Sequence, residues 1–134
     1  PAELVEWVRF LSGPSERLFN FEKVSKRTHL DIATVNTAIS LRLDGGCLAG
    51  VHLSAGGVAP IPMKLARTMA VLEGREPTIE TARAAAEIAR EEVSPITDVR
   101  GSADYKRLLL GQLVLAHFQE LFQLEALHFA GIPA

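Results

Sequence analysis

The feature that most constrains the fold is a change in apolar spacing across residues 39–62. Before this stretch apolar residues recur at every second position, which is typical of half-buried strands. After it they recur three and four residues apart, which is typical of amphipathic helices. The stretch itself has the pattern of strand, Asp-Gly-Gly turn, strand, Gly-Gly loop and helix start. The sequence therefore predicts a sheet that is followed by helices.

Four strands are predicted ahead of the helices. Residues 3–11 fit a strand or a short helix, and we favour a strand in which Trp7 is a packing residue. Residues 17–25 form the second strand. Residues 32–44 form the third, whose regular alternation specifies its register. Its two predicted faces are Ala33, Val35, Thr37, Ile39, Leu41 and Leu43 on one side, and Thr34, Asn36, Ala38, Ser40 and Arg42 on the other.

A tight hairpin at residues 44–46 leads into the fourth strand, because Gly45 and Gly46 tolerate the positive φ angles of such turns. Strict alternation places Cys47 in the core as a small apolar residue and His52 on the surface or at an interface. The two predicted faces of this strand are Cys47, Ala49, Val51, Leu53 and Ala55, and Leu48, Gly50, His52 and Ser54.

Three helices are predicted to cover the apolar sheet face. The first has Pro62 in its first turn and stops at Gly74. The second is capped by Thr78 and ends before Pro95. The third starts near Ser102 and is apolar around most of its circumference between residues 108 and 115, so it is buried on most sides. Strands followed by helices indicate an α+β two-layer sandwich, with an antiparallel sheet of three to four strands followed by three helices.

Composition excludes several classes of function. The 134 residues, 48% of them apolar, suit one globular domain over residues 1–134. The net charge of −2 and the scattered basic residues argue against a nucleic-acid surface. The single cysteine, Cys47, excludes an internal disulfide and a multi-cysteine iron–sulfur site, and favours a reducing, cytoplasmic setting. The sequence has no apolar run of membrane-spanning length. Because the chain starts at Pro1 without Met, we expect it to be a piece of a longer protein.

Few residues suggest chemistry, and no catalytic residue is predicted. The densest basic cluster is Lys23, Lys26, Arg27 and His29, which fits either an anion or cofactor-phosphate contact or a solvated loop. A Gly-Gly pair at residues 56–57 fits a phosphate-binding helix entry or, more often, a tight turn. No serine elbow, P-loop or metal-spaced His/Cys/Asp set is present.

Four stretches carry a family resemblance. They are Phe-Glu-Lys-Val-Ser-Lys-Arg at residues 21–27 with Asp-Ile-Ala at 31–33, the alternating strands and hairpin through residue 53, Gly-Gly-Val-Ala-Pro at 56–60 with Pro62, and Asp-Val-Arg-Gly-Ser-Ala-Asp-Tyr-Lys at 98–106. With these four stretches in this order, the chain resembles the C-terminal domain of the FAD-binding subunit of molybdenum hydroxylases. That family includes xanthine dehydrogenase and the carbon monoxide dehydrogenase flavoprotein, and the Lys-Val-Ser-Lys-Arg form looks most like a xanthine dehydrogenase small subunit.

The resemblance implies an accessory role in an oxidoreductase of purine catabolism. Electrons would pass from a molybdopterin centre through 2Fe-2S clusters to FAD and then to NAD or oxygen. A preceding domain would supply most FAD contacts, and Lys23 is the position carried over as a possible FAD contact. Lys26 and Arg27 match the same motif but fit structural roles, while Arg100 and Tyr105 suggest helix capping and packing. The implied partners are that FAD-binding domain, an iron–sulfur domain and a molybdopterin subunit, with no nucleic acid and no membrane.

Two alternatives stay open. One is a free-standing, non-enzymatic interaction module that docks a partner through its open sheet face or its third helix. The other, a small-ligand carrier, rests only on the apolar surface of the helices.

Overall fold

A computed structural model describes residues 3–9, 16–27 and 30–124. Within them a four-stranded antiparallel sheet precedes three helices, so the predicted α+β two-layer sandwich is confirmed. The strands lie side by side in chain order: β1 (Leu18–Val24), β2 (Val35–Asp44), β3 (Cys47–Gly56) and β4 (Met63–Lys64). The helices are α1 (Ala66–Leu72), α2 (Ile79–Glu92) and α3 (Ala103–Phe122).

The hairpin between β2 and β3 has the predicted two-residue turn. Asp44 pairs with Cys47, and the two residues between them have positive φ angles of 58° at Gly45 and 85° at Gly46. Two left-handed residues give the turn the twist that antiparallel strands require. The hairpin prediction is therefore confirmed.

A β-bulge in β3 changes the predicted faces near this turn. The register shifts between Ser40 and Arg42, where the single residue Leu41 lies opposite both Gly50 and Val51. Gly50 has a φ of 58°, a left-handed conformation that glycine adopts without steric cost. The extra residue reverses the alternation between the bulge and the hairpin turn.

The carboxylate of Glu73 holds the bulge in place. It accepts hydrogen bonds from the backbone N–H of Val51 at 2.9 Å and of Gly50 at 2.8 Å, and these bonds lower the pKa of Glu73. Beyond the bulge Leu48 is fully buried, whereas Cys47 is only half-buried. The prediction of Cys47 as a core residue and of Leu48 on the opposite face is therefore wrong, because strict alternation does not anticipate a bulge.

The predicted first strand is absent from residues 3–9, which are exposed and have no regular structure. Trp7 is 65% exposed, and the guanidinium of Arg9 lies 5.1 Å from its ring centroid. The packing role assigned to Trp7 is therefore wrong, and the rest of the predicted strand lies outside the described residues. Sequence alternation is not sufficient for a strand here. Among the described residues β1 pairs with β2 alone, and residues 3–9 do not pair with its other edge.

The fourth strand comes instead from the residues expected to start the first helix. Met63 pairs with Ala55 and Lys64 with Ser54. Helix α1 then starts at Ala66, so the placement of Pro62 in its first turn is wrong. Pro62 directly precedes this short edge strand, where its missing N–H breaks no ladder hydrogen bond.

Helix capping follows the sequence for α2 and α3 but not for α1. The Thr78 hydroxyl accepts from the backbone N–H of Thr81, and the Ser102 hydroxyl accepts from that of Tyr105, as the predicted caps require. Helix α1 has no side-chain cap of its own. The carboxylate of Glu92, at the end of α2, accepts instead from the backbone N–H groups of residues 67 and 68 at 2.8 and 2.9 Å.

The core lies between one sheet face and the helices. Helix α3 packs on β1, β2 and α2, and α1 packs on β3 and α2. Helix α3 is buried around most of its circumference between residues 109 and 118, as predicted. The largest fully buried apolar side chains are Phe118, Ile39, Leu41, Leu48, Leu53, Leu65, Leu72 and Leu110.

A buried histidine joins α3 to two strands. His117 is fully buried, its Nε2 lies 2.8 Å from the hydroxyl of Thr37 on β2, and its Nδ1 lies 3.0 Å from the amide nitrogen of Asn20 on β1. Asn20 also donates to Glu22 at 2.9 Å. Since an amide nitrogen only donates, Nδ1 must accept and Nε2 must carry the proton of a neutral ring. Burial lowers the pKa of His117 to about 4.

His117 should make the fold sensitive to mild acid. Its pKa rises from about 4 in the folded chain to about 6.5 when unfolded, so its contribution is complete above about pH 6.5 and is lost as the pH falls towards 4. We expect the free energy of unfolding to drop by about 2 kcal/mol between about pH 7.5 and 5. Urea denaturation at several pH values measures it.

The substitution His117→Gln removes the titrating ring and should flatten this pH dependence, although the variant will be less stable at neutral pH. The substitution His52→Gln, at an exposed position on β3, is the control and should keep the slope. An unchanged slope in His117→Gln would contradict the assignment.

Candidate functional site

Three connections meet at one end of the sandwich, and we call this region the loop end. It comprises the described residues between β1 and β2, residues 57–62 between β3 and β4, and residues 93–102 between α2 and α3. The ammonium of Lys26 donates to the carbonyl of Val99 at 2.6 Å, and the hydroxyl of Thr34 donates to that of Arg100 at 3.5 Å. Three of the four stretches that carry the family resemblance thus come together here.

Gly57 allows two of these connections to approach closely. It has a φ of 82°, and a Cβ built on it would lie 2.3 Å from the carbonyl oxygen of Thr34. Only glycine fits such an approach without a shift of the backbone. Because the chain continues into β4 rather than into a helix, the geometry supports the tight-turn interpretation of Gly56 and Gly57 and removes the helix entry that phosphate binding would need.

Lys106, in the first turns of α3, fixes the connection between α2 and α3. Its side chain is 3% exposed, and its ammonium donates to the carbonyl of Ile96 and to the carboxylate of Asp98, both at 2.9 Å. The hydrogen bond from Lys106, followed by one from the Arg100 backbone, lowers the pKa of Asp98. The buried charge is thus paired and hydrogen-bonded, as burial of a lysine requires.

The loop end contains a cleft of about 300 Å³ with a mixed lining. Its walls are Gly57, Ala59, Pro60, Ser94, Ile96, Asp98, Arg100 and Lys106. The surrounding surface carries exposed apolar side chains, namely Leu30, Ile32, Ile61, Ile96 and Val99. Cations beside apolar side chains suit a ligand or partner that has both anionic and flat apolar parts.

The fourth resemblance stretch forms a turn followed by a helix cap. Asp98 and Gly101 exchange two backbone hydrogen bonds of 3.1 Å, and the Asp98 carboxylate accepts from the N–H of Arg100 at 2.9 Å. The Arg100 guanidinium lies 3.7 Å from the same carboxylate. These contacts place Arg100 in the turn that precedes the Ser102 cap. Tyr105 donates its backbone N–H to that cap, but its side chain is 45% exposed, so the packing role inferred for it stays a prediction.

The basic cluster at the end of β1 is exposed, and its described members all bond to protein atoms. Lys23 donates to the carbonyl of Asp31 at 2.6 Å, and Arg27 lies 3.6 Å from the Asp31 carboxylate. Burial would raise the pKa of Asp31, but hydrogen bonds from the Arg27 and Ile32 backbones and the charge of Arg27 outweigh it and lower that pKa. His29 lies outside the described residues. The role of Lys23 in cofactor binding stays a prediction.

Lys106 was missed by sequence reasoning, although a signal for it exists. It stands four residues before Leu110, seven before Leu113 and eleven before His117, all of which are buried on α3. A lysine in register with such a stripe needs an acidic or carbonyl partner. Asp98, eight residues earlier, is that partner.

The described residues show neither a metal centre nor a membrane span. Nowhere in residues 3–9, 16–27 and 30–124 do three or more His, Cys, Asp or Glu side chains cluster in a way that could hold a metal ion. Within the same ranges no helix has the length and hydropathy needed to span a bilayer.

The sequence matches the family model described as the CO dehydrogenase flavoprotein C-terminal domain over residues 21–121. The chain belongs to this family. The match begins in β1 and ends in α3, so it includes the sheet, the helices and the loop end. The resemblance to the C-terminal domain of the FAD-binding subunit of molybdenum hydroxylases is therefore confirmed, whereas the particular likeness to xanthine dehydrogenase stays a prediction.

Named relatives agree with this family. The chain is 33% identical over 94 residues to the carbon monoxide dehydrogenase medium chain of Hydrogenophaga pseudoflava, covering 70% of this chain and 32% of that one. It is 30% identical to the nicotine 6-hydroxylase medium subunit of Paenarthrobacter nicotinovorans, covering 63% and 30% respectively. The matched part of the chain thus spans about a third of these relatives' length.

A solved structure shows the same fold. It is the carbon monoxide dehydrogenase from Hydrogenophaga pseudoflava that lacks the Mo-pyranopterin moiety of its molybdenum cofactor. The TM-score is 0.73 at 32% identity, and the superposition covers 77% of this chain and 36% of that chain.

The close approach at Gly57 should be costly to disturb. Gly57→Ala should lower the free energy of unfolding by about 3 kcal/mol, because it combines a strained left-handed alanine with a backbone clash. Gly74→Ala is the matched control, since Gly74 has a similar φ of 75° but nothing within 4 Å of its Cβ position. It should cost only about 1 kcal/mol. Urea denaturation compares them, and equal losses would contradict the packing argument.

Proposed function

We propose that the chain is the C-terminal domain of the FAD-binding subunit of a molybdenum hydroxylase resembling xanthine dehydrogenase. The observation that carries the proposal is the family match over residues 21–121, together with the meeting of three of its motifs at one loop end. The medium chain and medium subunit among its relatives are about twice as long as this chain, which leaves room for a flavin-binding portion.

In this role the chain completes a flavin site that is built mainly by a preceding domain. Bound FAD would accept electrons and deliver them to NAD or oxygen. The loop end fits an edge contact with such a group, because it offers cations beside exposed apolar side chains. Lys23 is the residue we assign to FAD. Its ammonium is exposed and, among the described residues, donates one hydrogen bond, to the Asp31 carbonyl. Two N–H groups would then serve an anionic or carbonyl oxygen of the cofactor.

The other redox groups would lie on partners of this domain. The chain has one cysteine, which is half-buried, whereas a 2Fe-2S cluster held by cysteines needs four thiolates. We therefore place the 2Fe-2S clusters and the molybdopterin in an iron–sulfur domain and a molybdopterin subunit of a cytoplasmic complex. The domain by itself is then inactive and supports electron transfer by shaping and shielding the flavin site.

The Lys-Val-Ser-Lys-Arg motif at residues 23–27 looks most like a xanthine dehydrogenase small subunit, so xanthine is the first substrate to test on the whole complex. The names of the relatives point to carbon monoxide and to nicotine, so membership of the family does not fix the substrate. The substrate would bind in the molybdopterin subunit, so this chain's residues do not select it. Turnover of xanthine by the purified complex, beside carbon monoxide and nicotine, tests this part of the proposal.

Flavin content tests the central claim. We expect the full-length polypeptide that contains this chain to purify with bound FAD, visible in its absorbance spectrum. The substitution Lys23→Met should weaken FAD binding about tenfold, because a hydrogen bond from a charged group contributes about 1.5 kcal/mol or more. The substitution Arg75→Met is the control, since Arg75 is exposed and its carbonyl bonds Leu48 at the opposite, hairpin end of the sheet.

The outcomes separate the two parts of this proposal. A full-length polypeptide that neither contains nor binds FAD would overturn the function and favour the free-standing interaction module. Normal FAD affinity in Lys23→Met would remove only the assignment of Lys23.

A further inference from the structure

The sheet has a second face that no described helix covers, and we call it the outer face. Its side chains come from every strand: Phe19 and Phe21 on β1, Ala38 and Ser40 on β2, His52 and Ser54 on β3, and Lys64 on β4. Phe19 is 65% exposed and Phe21 is 51% exposed. Two neighbouring exposed phenylalanines on one strand are unusual for a surface that faces water.

The centre of the outer face is apolar and shallow. A groove of about 320 Å³ runs over the small side chains of Ala38, Ser40 and Ser54, between Phe19 and Lys64. A sheet face in water ordinarily carries long polar or charged side chains at such central positions. Small residues flanked by aromatic ones instead leave a depression that another packing layer can fill.

The charges on this face lie around the groove and are mostly basic. Arg17 lies across the sheet and donates to the hydroxyl of Ser40 at 3.3 Å and to the carbonyl of Gly50 at 3.2 Å. Arg42 is paired with Asp44 at 3.2 Å. Lys23 and Lys64 add further positive charge. A surface that fits here has apolar side chains at its centre and acidic ones at its edge.

We propose that the outer face docks onto the flavin-binding domain of the same polypeptide, with Phe19 and Phe21 as the apolar anchors. This inference rests on the proposed function. It is supported by length, because the matched part of the chain spans about a third of its relatives, and a tethered neighbour binds at high effective concentration. A second copy of this chain fits less well, since a twofold contact would place the same basic rim against itself.

The outer face adjoins the loop end, and this supports the flavin-binding domain as the partner that covers it. Phe21 and Lys23 are two residues apart on β1, so their side chains share the outer face. Lys23 lies where that face meets the loop end, and its bond to Asp31 fixes its ammonium there. A domain that covers Phe21 would therefore also lie beside Lys23.

Cysteine labelling of the full-length polypeptide tests the docking surface. In a Cys47→Ser background, His52→Cys places a thiol on the outer face, and Ala84→Cys places one on the exposed side of α2. Both positions are exposed in the structure. In the native polypeptide we expect maleimide to label His52→Cys about tenfold more slowly than Ala84→Cys, because a covered thiol reacts only after local opening. In urea the two rates should be equal.

A second substitution ties the protection to the phenylalanines. Phe21→Lys, combined with His52→Cys, should raise the labelling rate to that of the Ala84→Cys thiol, whereas Ala70→Lys, on the exposed side of α1, should not. Equal native rates at residues 52 and 84 would overturn the proposal. Protection that disappears on dilution would identify a second copy and would also overturn it.

Flavin content of the same preparation keeps the two proposals distinguishable. If the polypeptide binds FAD but is labelled equally at both positions, only the proposed docking surface is wrong. If the polypeptide does not bind FAD, the proposed function is wrong, whatever the labelling rates are.

Discussion

The packing of α3 across β1 and β2 is the interaction on which the rest of the structure depends. It buries Leu110 and Phe118 completely against the apolar sheet face. Hydrophobic packing alone would permit α3 to slide or rotate, because it has no direction. His117 removes that freedom, since its two ring nitrogens meet Thr37 and Asn20 on different strands. These two contacts therefore set the position and the rotation of α3 on the sheet, in addition to its hydrophobic packing.

The fixed helix also organises the loop end. Lys106 lies near the start of α3, and its bonds to Ile96 and Asp98 hold the connection from α2 in place. Through Val99 that connection bonds Lys26, at the end of β1. All the described helices lie on one face of the sheet, so the opposite face is open to a neighbour, and Lys23 lies where that face meets the loop end. This arrangement is consistent with the supporting role beside a flavin domain that we propose.

Much of the fold could be predicted from local patterns. The strand at residues 17–25, the hairpin at residues 44–46, the caps of α2 and α3 and the burial of α3 were all predicted from alternation, turn chemistry or helical spacing. The errors share a cause, which is that strand pairing depends on distant residues. Residues 3–9 alternate without forming a strand, and residues 63–64 form one because β3 offers them a free edge. The bulge at Gly50 likewise needs Glu73, which lies 23 residues away in sequence.

The candidate site was predicted only in part. Its motifs were recognised along the chain, but their meeting was not, because it depends on bonds such as that between Lys26 and Val99, 73 residues apart. By itself the sequence determined the α+β class, the family and the basic segment around Lys23, since these follow from periodicity and local motifs. The tertiary structure alone decided the bulge, the pairing of buried Lys106 with Asp98 and Ile96, and the outer face that no described helix covers. Those features depend on which distant segments pair and pack, and local sequence does not encode that choice.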